Sequence, residues 1–142
     1  MTTIVVVRKG NQAAIAADSL TTFGSTRLAP AYDRHPHKII AYADSFIGVA
    51  GSAAHQLVLE NLLGRNPDLA LHGKDAIYET FRRLHPLLKD EAFLNPKEEE
   101  DDPYESSQMT VMIANPSGIF AVYSMREVFE FDRYWAIGSG RD

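Results

Sequence analysis

The side chain with the most chemistry to offer stands second in the chain. Removal of Met1, routine where a small residue follows, leaves Thr2 with a hydroxyl and a free α-amine on one residue. An α-amine titrates at about 7.7–8.0, so near neutral pH a useful fraction is unprotonated. It can then take the hydroxyl proton, as bases do for activated threonine nucleophiles. A Met-Thr-Thr start is by itself ordinary. What gives it weight is a carboxylate, an ammonium group and a backbone N–H that two hairpins bring to the same end of their strands.

Ile4-Val5-Val6-Val7 is β-branched and reads as a strand, Gly10-Asn11 as a turn, and Ala13 to Ala17 as a short returning strand that ends at Asp18-Ser19. A three-residue loop, Lys9 to Asn11, pairs Thr2 with Asp18, Ile4 with Ala16 and Val6 with Ala14. A two-residue Gly10-Asn11 loop pairs Thr3 with Asp18 instead. Either register sets a carboxylate beside the N-terminus, although an aspartate at a strand end is equally common as a turn residue. In the second hairpin, Lys38 to Tyr42 and Phe46 to Ala50 flank Ala43-Asp44-Ser45. A two-residue Asp44-Ser45 loop places Lys38 opposite Gly51, and a three-residue loop places it opposite Ala50. The lysine cation lowers the proton affinity of a nearby hydroxyl, and Asp18 can hold that cation. The Gly51 N–H, just before a helix start, can stabilise the oxyanion of a tetrahedral intermediate. Taken singly, Lys38 reads as an exposed strand-end lysine and Gly51 as a turn glycine.

The remaining elements frame these residues. Residues 20–37 carry Gly24, Pro30 and Pro36 without a clear period and read as a loop with short strands. Ser52 caps a helix running to about Leu63, with Leu57, Leu59, Leu62 and Leu63 inward and Gly64 and Pro67 ending it. A second helix is predicted from Lys74 to Phe93 on the stripe Ile77, Phe81, Leu84, Leu88 and Phe93, kinked or split at Pro86. The acidic stretch Lys97 to Ser107 reads as a solvated loop. Strands follow at Met109 to Ala114, Ile119 to Ser124, Val128 to Phe131 and Tyr134 to Ile137. Strands, two helices, then strands is an α+β order with helices segregated to one face of sheet. The late strands are apolar on both parities, the pattern of burial on both faces.

The 142 residues have the length of one domain, and 45% hydrophobic content suffices for a core. Absence of cysteine excludes disulfides and thiolate chemistry. A net charge of −5 argues against nucleic acid or an anionic membrane as the main partner. No apolar run approaches the ~20 residues of a membrane span, and the N-terminus lacks the pattern of a signal peptide, so a cytoplasmic protein is expected.

Met1-Thr2-Thr3-Ile4-Val5, Ala16-Ala17-Asp18-Ser19, Lys38, Gly48-Val49-Ala50-Gly51-Ser52-Ala53-Ala54 and Ala136-Ile137-Gly138-Ser139-Gly140 together resemble a proteasome-type β subunit. The match is to the bacterial HslV type and the related proteasome homologues of some proteobacteria. The resemblance implies the N-terminal-nucleophile hydrolase fold, an αββα sandwich of antiparallel sheets, and a threonine-type endopeptidase. Thr2 matches the nucleophile, Asp18 and Lys38 the acidic and basic residues that support it, and Gly51 the oxyanion donor. Ser139 matches the serine near the nucleophile's amine. Thr22 falls where the family's backbone pairs with substrate, and Val49 on the wall of the specificity pocket. Self-assembly into stacked rings around an inner chamber, peptide or unfolded-protein substrates and an ATP-driven unfoldase are further implications. No cofactor or metal is expected.

Three departures from the family pattern matter. Four extra residues lie between Asp18 and Lys38 compared with the HslV type. While Met1 stays in place the amine of Thr2 is blocked and the chain inactive. The family continues beyond the Gly-Ser-Gly motif with two more helices and further strands, so the chain reads as one proteasome-like domain, residues 1–142, incomplete at its C-terminus. Uncovered apolar sheet is then expected. The alternative function is a non-catalytic ring or scaffold subunit. A small-molecule amidase fits the nucleophile but not the Gly-Ser-Gly pattern.

Overall fold

Ile4 and Val6 are fully buried while Val7 is 46% exposed, the two-residue alternation of a strand with one core face. In the computed structural model, which describes residues 2–97 and 100–139, this strand is β1 (Thr3–Lys9). Met1 and Gly140, which the sequence reading invokes, lie outside the described residues, as do two glutamates of the acidic stretch. β2 (Gln12–Ala17) returns antiparallel through the two-residue Gly10-Asn11 turn, with Ile4 opposite Ala17 and Lys9 opposite Gln12. Of the two registers weighed, it is the one that sets Thr3 level with Asp18. Gly10 holds a φ of +60°, which the tight turn requires.

A small hairpin follows, β3 (Thr21–Phe23) and β4 (Thr26–Leu28), then a 3-10 turn at Pro30–Tyr32. The second hairpin joins β5 (Ile39–Tyr42) to β6 (Ser45–Ala50). Its register is neither of the two predicted. Tyr42 pairs with Ser45 and Ile39 with Gly48, so the loop is Ala43-Asp44 and Lys38 comes level with Val49 rather than Gly51 or Ala50. The cause is Ser45. Its side chain is buried and accepts a hydrogen bond from Asn115 Nδ2 at 3.1 Å, which draws it into the ladder. Ala43 takes up the tighter turn at a φ of +50°.

Helix α1 (Ala53–Arg65) starts at Ser52, whose side chain accepts from the His55 N–H. It buries Leu59, Leu62 and Leu63, but Leu57 is 67% exposed and does not belong to the inward side. Gly64 lies inside the helix. Asn66 ends it, donating from Nδ2 to Leu62 O and from its backbone to Leu63 O. Helix α2 (Lys74–Asp90) runs through Pro86 without interruption, since Pro86 sits on the exposed side where water can take up the freed carbonyl. It stops short of Phe93, which has a φ of +58° and is 85% exposed. The stripe is therefore Ile77, Phe81, Leu84 and Leu88.

β7 (Thr110–Asn115), β8 (Gly118–Val122) and β9 (Val128–Phe131) extend the second hairpin into a five-stranded antiparallel sheet, β5-β6-β7-β8-β9. β10 (Tyr134–Gly138) crosses to pair with β1 and completes the three-stranded sheet β10-β1-β2. The larger sheet carries the helices on one face, where Ile47, Val111, Ile113 and Phe120 meet Leu59, Leu62, Ile77 and Leu84. On its other face Met112, Ala114, Ile119 and Ala121 meet Ile4, Val6 and Ile137 of the smaller sheet. That explains the double burial of β7 and β8. It fails for β9 and β10, which stand at sheet edges and are half exposed. The sheets approach most closely at Gly48, where an added Cβ would stand 2.8 Å from Ile4 Cδ1. The uncovered apolar face belongs to the smaller sheet, where Val5, Val7, Ala14, Ala16 and Tyr134 point away from the core.

Two further ties brace the frame. Trp135 of β10 stacks on Phe131 of β9, with centroids 4.7 Å apart and planes within 7°, and its indole N–H donates to Tyr123 Oη at 2.8 Å. The acidic stretch is not wholly solvated, because Glu105 bonds His85 Nε2 at 2.8 Å and Lys89 Nζ at 2.9 Å on α2. The Lys89 ammonium, then His85, hold the Glu105 carboxyl at about 2. No helix among the described residues is long and apolar enough to cross a membrane.

Candidate active site

Thr2 sits just ahead of β1, and the first ladder positions fix its surroundings. Thr3 N donates to Asp18 Oδ1 at 2.9 Å, and Asp18 N donates to Thr3 O at 3.2 Å. Asp18 Oδ2 takes the Leu20 N–H at 3.2 Å and the Lys38 ammonium at 3.0 Å. Burial works to raise the Asp18 pKa, but the Thr3 N–H, Lys38 and the Leu20 N–H outweigh it, and the net shift is downward. The carboxylate therefore remains ionised through the neutral range.

Lys38 enters from the residue before β5 with its side chain only 8% exposed. A buried ammonium is costly unless its protons are matched. Its acceptors among the described residues include Asp18 Oδ2, Leu20 O at 2.5 Å and Thr2 Oγ1 at 3.4 Å. Since an ammonium only donates, Thr2 Oγ1 must accept, which leaves the hydroxyl's own proton free to pass to a base. The positive charge beside that oxygen also favours its alkoxide form.

The Thr2 carbonyl is held from the other side. Ser139 N donates to Thr2 O at 3.0 Å, just past the pairing of Thr3 with Gly138. A Cβ on Gly138 would fall 1.7 Å from Thr2 O, and Gly138 has a φ of +97°. Glycine is therefore obligatory for bringing β10 against the N-terminus. Ser139 itself is exposed and contributes its backbone to this contact.

Thr2, Lys38, Thr22, Val49 and Gly51 line one cavity of about 350 Å3. Val49 is 3% exposed and forms part of the wall from β6. Gly51 lies between the end of β6 and the cap of α1. A Cβ there would meet nothing nearer than Met109 Cβ at 3.4 Å, so packing alone does not demand glycine. Next to it, the Ser52 hydroxyl and His55 Nδ1 share a hydrogen bond at 2.6 Å. Burial lowers the pKa of His55, favouring the neutral ring.

Three contributors escaped the sequence reading. The Leu20 carbonyl is a backbone group in a stretch without period, and no side-chain signal marks it. Gln56 lines the cavity and donates from Nε2 to His37 O at 3.1 Å, bracing the segment that delivers Lys38. Its position four residues after the cap Ser52, on one helix face, was legible. Gly138 was visible in the Gly-Ser-Gly motif, but its role depends on a contact that only the fold creates. Among the described residues no group of three or more His, Asp or Glu is arranged to hold a metal ion.

The chain is similar in structure to Thiobacillus denitrificans BPH, with 37% identity and a TM-score of 0.89 over 98% of this chain and 73% of that one. The same protein in complex with epoxomicin gives 36% identity and a TM-score of 0.88. Eukaryotic HslV from Trypanosoma brucei matches at 23% identity and a TM-score of 0.61, over 97% of this chain and 72% of that one. A helical assembly of the Anbu complex from Pseudomonas aeruginosa matches at 13% and 0.63, over 98% and 61%. The last two show the fold alone. Comparisons with protein-family models and with curated proteins return no match.

Proposed function

The chain belongs to the family of proteasome-type β subunits, and from that membership we propose that it is a catalytic subunit, a threonine-type endopeptidase with Thr2 as nucleophile. The observation that carries this reading is the Lys38 ammonium, which bridges Asp18 Oδ2 and Thr2 Oγ1. Once Met1 is removed, the Thr2 amine takes the hydroxyl proton as Oγ1 attacks the scissile carbonyl carbon. A C–O bond forms, and the negative charge on the carbonyl oxygen meets the Gly51 N–H. The C–N bond then breaks, and the leaving amine departs with the proton held by the Thr2 amine. Water, deprotonated by the same amine, attacks the ester, and the peptide acid leaves with Thr2 restored. Asp18 and Lys38 act by charge and position throughout.

Assembly into stacked rings, with the sites facing an inner chamber and an ATP-driven unfoldase as partner, is part of the same reading. Relatives of this fold include an Anbu complex solved as a helical assembly. The test pairs an intact-mass measurement of the N-terminus with hydrolysis of fluorogenic peptides, comparing the wild type with Thr2→Ala. A Thr2 N-terminus with turnover that Thr2→Ala abolishes supports the reading. Epoxomicin, the ligand of the T. denitrificans relative, should block that turnover. A processed N-terminus without turnover leaves a ring or scaffold role instead.

A further inference from the structure

β2 stands at the edge of the smaller sheet, away from the Thr2 cavity. Arg8 N donates across to Arg133 O, so the even residues of β1 serve β10 and the odd ones serve β2. With Val5 opposite Ala16 and Lys9 opposite Gln12, the even residues of β2 meet β1, and Ala13, Ile15 and Ala17 turn their N–H and C=O groups outward. Among the described residues no strand pairs with that side. Edge strands are commonly guarded by charge, proline or a bulge, yet residues 13–17 are four alanines and one isoleucine. Beneath this edge two cavities adjoin between the sheets. The larger, about 800 Å3, has Ala13, Ile15, Ile39 and Phe46 in its wall. The smaller, about 310 Å3, has Ala17, Ile39, Ala41 and Phe46. Ile15 and Ala17 pack on the core between the sheets, so the inward side of β2 faces this groove. Its charges stand at its ends. The exposed Lys9 closes the larger cavity, where the Asp44 carboxylate is already engaged by His72 at 2.7 Å. Asp18, its side chain 36% exposed, closes the smaller one.

We propose that this groove is a second peptide-binding site, distinct from the Thr2 cavity, which takes a short free peptide as an added strand antiparallel to β2. That direction brings the peptide's carboxylate to Lys9 and its amine to Asp18, whereas a parallel strand meets like charge at both ends. Five peptide residues match the run from Ala17 to Ala13. The first, third and fifth lie opposite Ala17, Ile15 and Ala13, take up their outward N–H and C=O groups, and share their inward face. Apolar side chains at those three positions fill the cavities. Lys38 walls the smaller cavity as well as that of Thr2, so the occupant sits beside the Asp18–Lys38 pair.

The probe is the pentapeptide Leu-Ser-Leu-Ser-Leu with both ends free, titrated by calorimetry into the full chain carrying Thr2→Ala. Binding is thus read apart from turnover, and the proposal stands or falls separately from the peptidase reading. The isomer Leu-Leu-Ser-Ser-Leu takes one leucine out of register and should bind about tenfold more weakly. Ala13→Pro deletes one outward N–H, leaves the β1 ladder whole and should also cost about tenfold. Lys9→Glu should cost about fivefold for the free peptide and nothing for its C-terminal amide. If Ala13→Pro fails to fold, the comparison of Lys9→Glu with the amide decides alone. Absence of binding overturns the proposal. So does an affinity that neither substitution moves, which puts the peptide in the Thr2 cavity instead. An assembly of the full chain that Ala13→Pro dissociates in sedimentation gives the edge to a second copy and overturns it as well.

Discussion

Gly138→Ala tests how tightly the fold of β10 is tied to the position of Thr2. The new Cβ would lie 1.7 Å from Thr2 O and 2.7 Å from Thr2 C, where real Cβ contacts stay beyond 3.0 Å. The gap between β10 and the N-terminus must therefore open by more than an ångström. That movement breaks the 3.0 Å bond from Ser139 N to Thr2 O and carries Oγ1 away from Lys38, already at 3.4 Å. A misplacement of about 1 Å at reacting atoms costs on the order of 10²-fold in rate. Holding alanine at a φ of +97° costs roughly 1–3 kcal/mol of stability as well. The assay is peptide hydrolysis beside urea unfolding, with Gly64→Ala as the control. Gly64 lies inside α1 with nothing within 4 Å of an added Cβ, so that substitution should stabilise by up to about 1 kcal/mol. Wild-type turnover and stability in Gly138→Ala would refute the reasoning from this contact.

Gly48→Ala should destabilise by about 1–3 kcal/mol through overpacking against Ile4, and adding Ile4→Ala should recover part of that loss, giving a double variant more stable than the summed singles in urea melts. Glu105 should make stability pH-dependent in acid. Its carboxyl is lower in the folded protein, about 2, than its ordinary 4.5, so its contribution is complete above about 4.5 and is lost as pH falls towards 2. Urea midpoints across that window should flatten in Glu105→Gln. Gln56→Met removes the donor to His37 O at similar length, and kcat should fall by about fivefold with KM within about twofold. A raised KM at constant kcat would place Gln56 on the substrate instead.

The elements themselves were largely legible, because their signals are local. The β-branched run Ile4 to Val7, the cap Ser52 and the four-residue stripe from Ile77 to Leu88 each follow from chain geometry. What the sequence hid was long-range. The second hairpin slipped past both predicted registers because Ser45 answers to Asn115, 70 residues away. Leu57 and Phe93 fit an apolar count yet face solvent, Leu57 because the burial of a helix face is decided by the sheet beneath it and Phe93 because α2 ends before it. The site shows the same division. The types and order of Thr2, Asp18 and Lys38 are in the sequence, whereas the Leu20 carbonyl that also receives the lysine is a backbone atom no residue type announces.

The stacking of Trp135 on Phe131 gives the protein a built-in optical gauge. It is the chain's single tryptophan, so all indole emission comes from one place. That place joins β10, the strand that leads to Gly138 and Thr2, to the edge of the larger sheet at β9. Its ring is sheltered on one face and its N–H engaged by Tyr123, while 41% of the residue meets solvent. Any event that draws β10 away from the larger sheet exposes the stacked face and frees the N–H together, and the emission moves to longer wavelength. Strand displacement next to Thr2 can therefore be followed in unlabelled protein, in real time, with no dye added near the site.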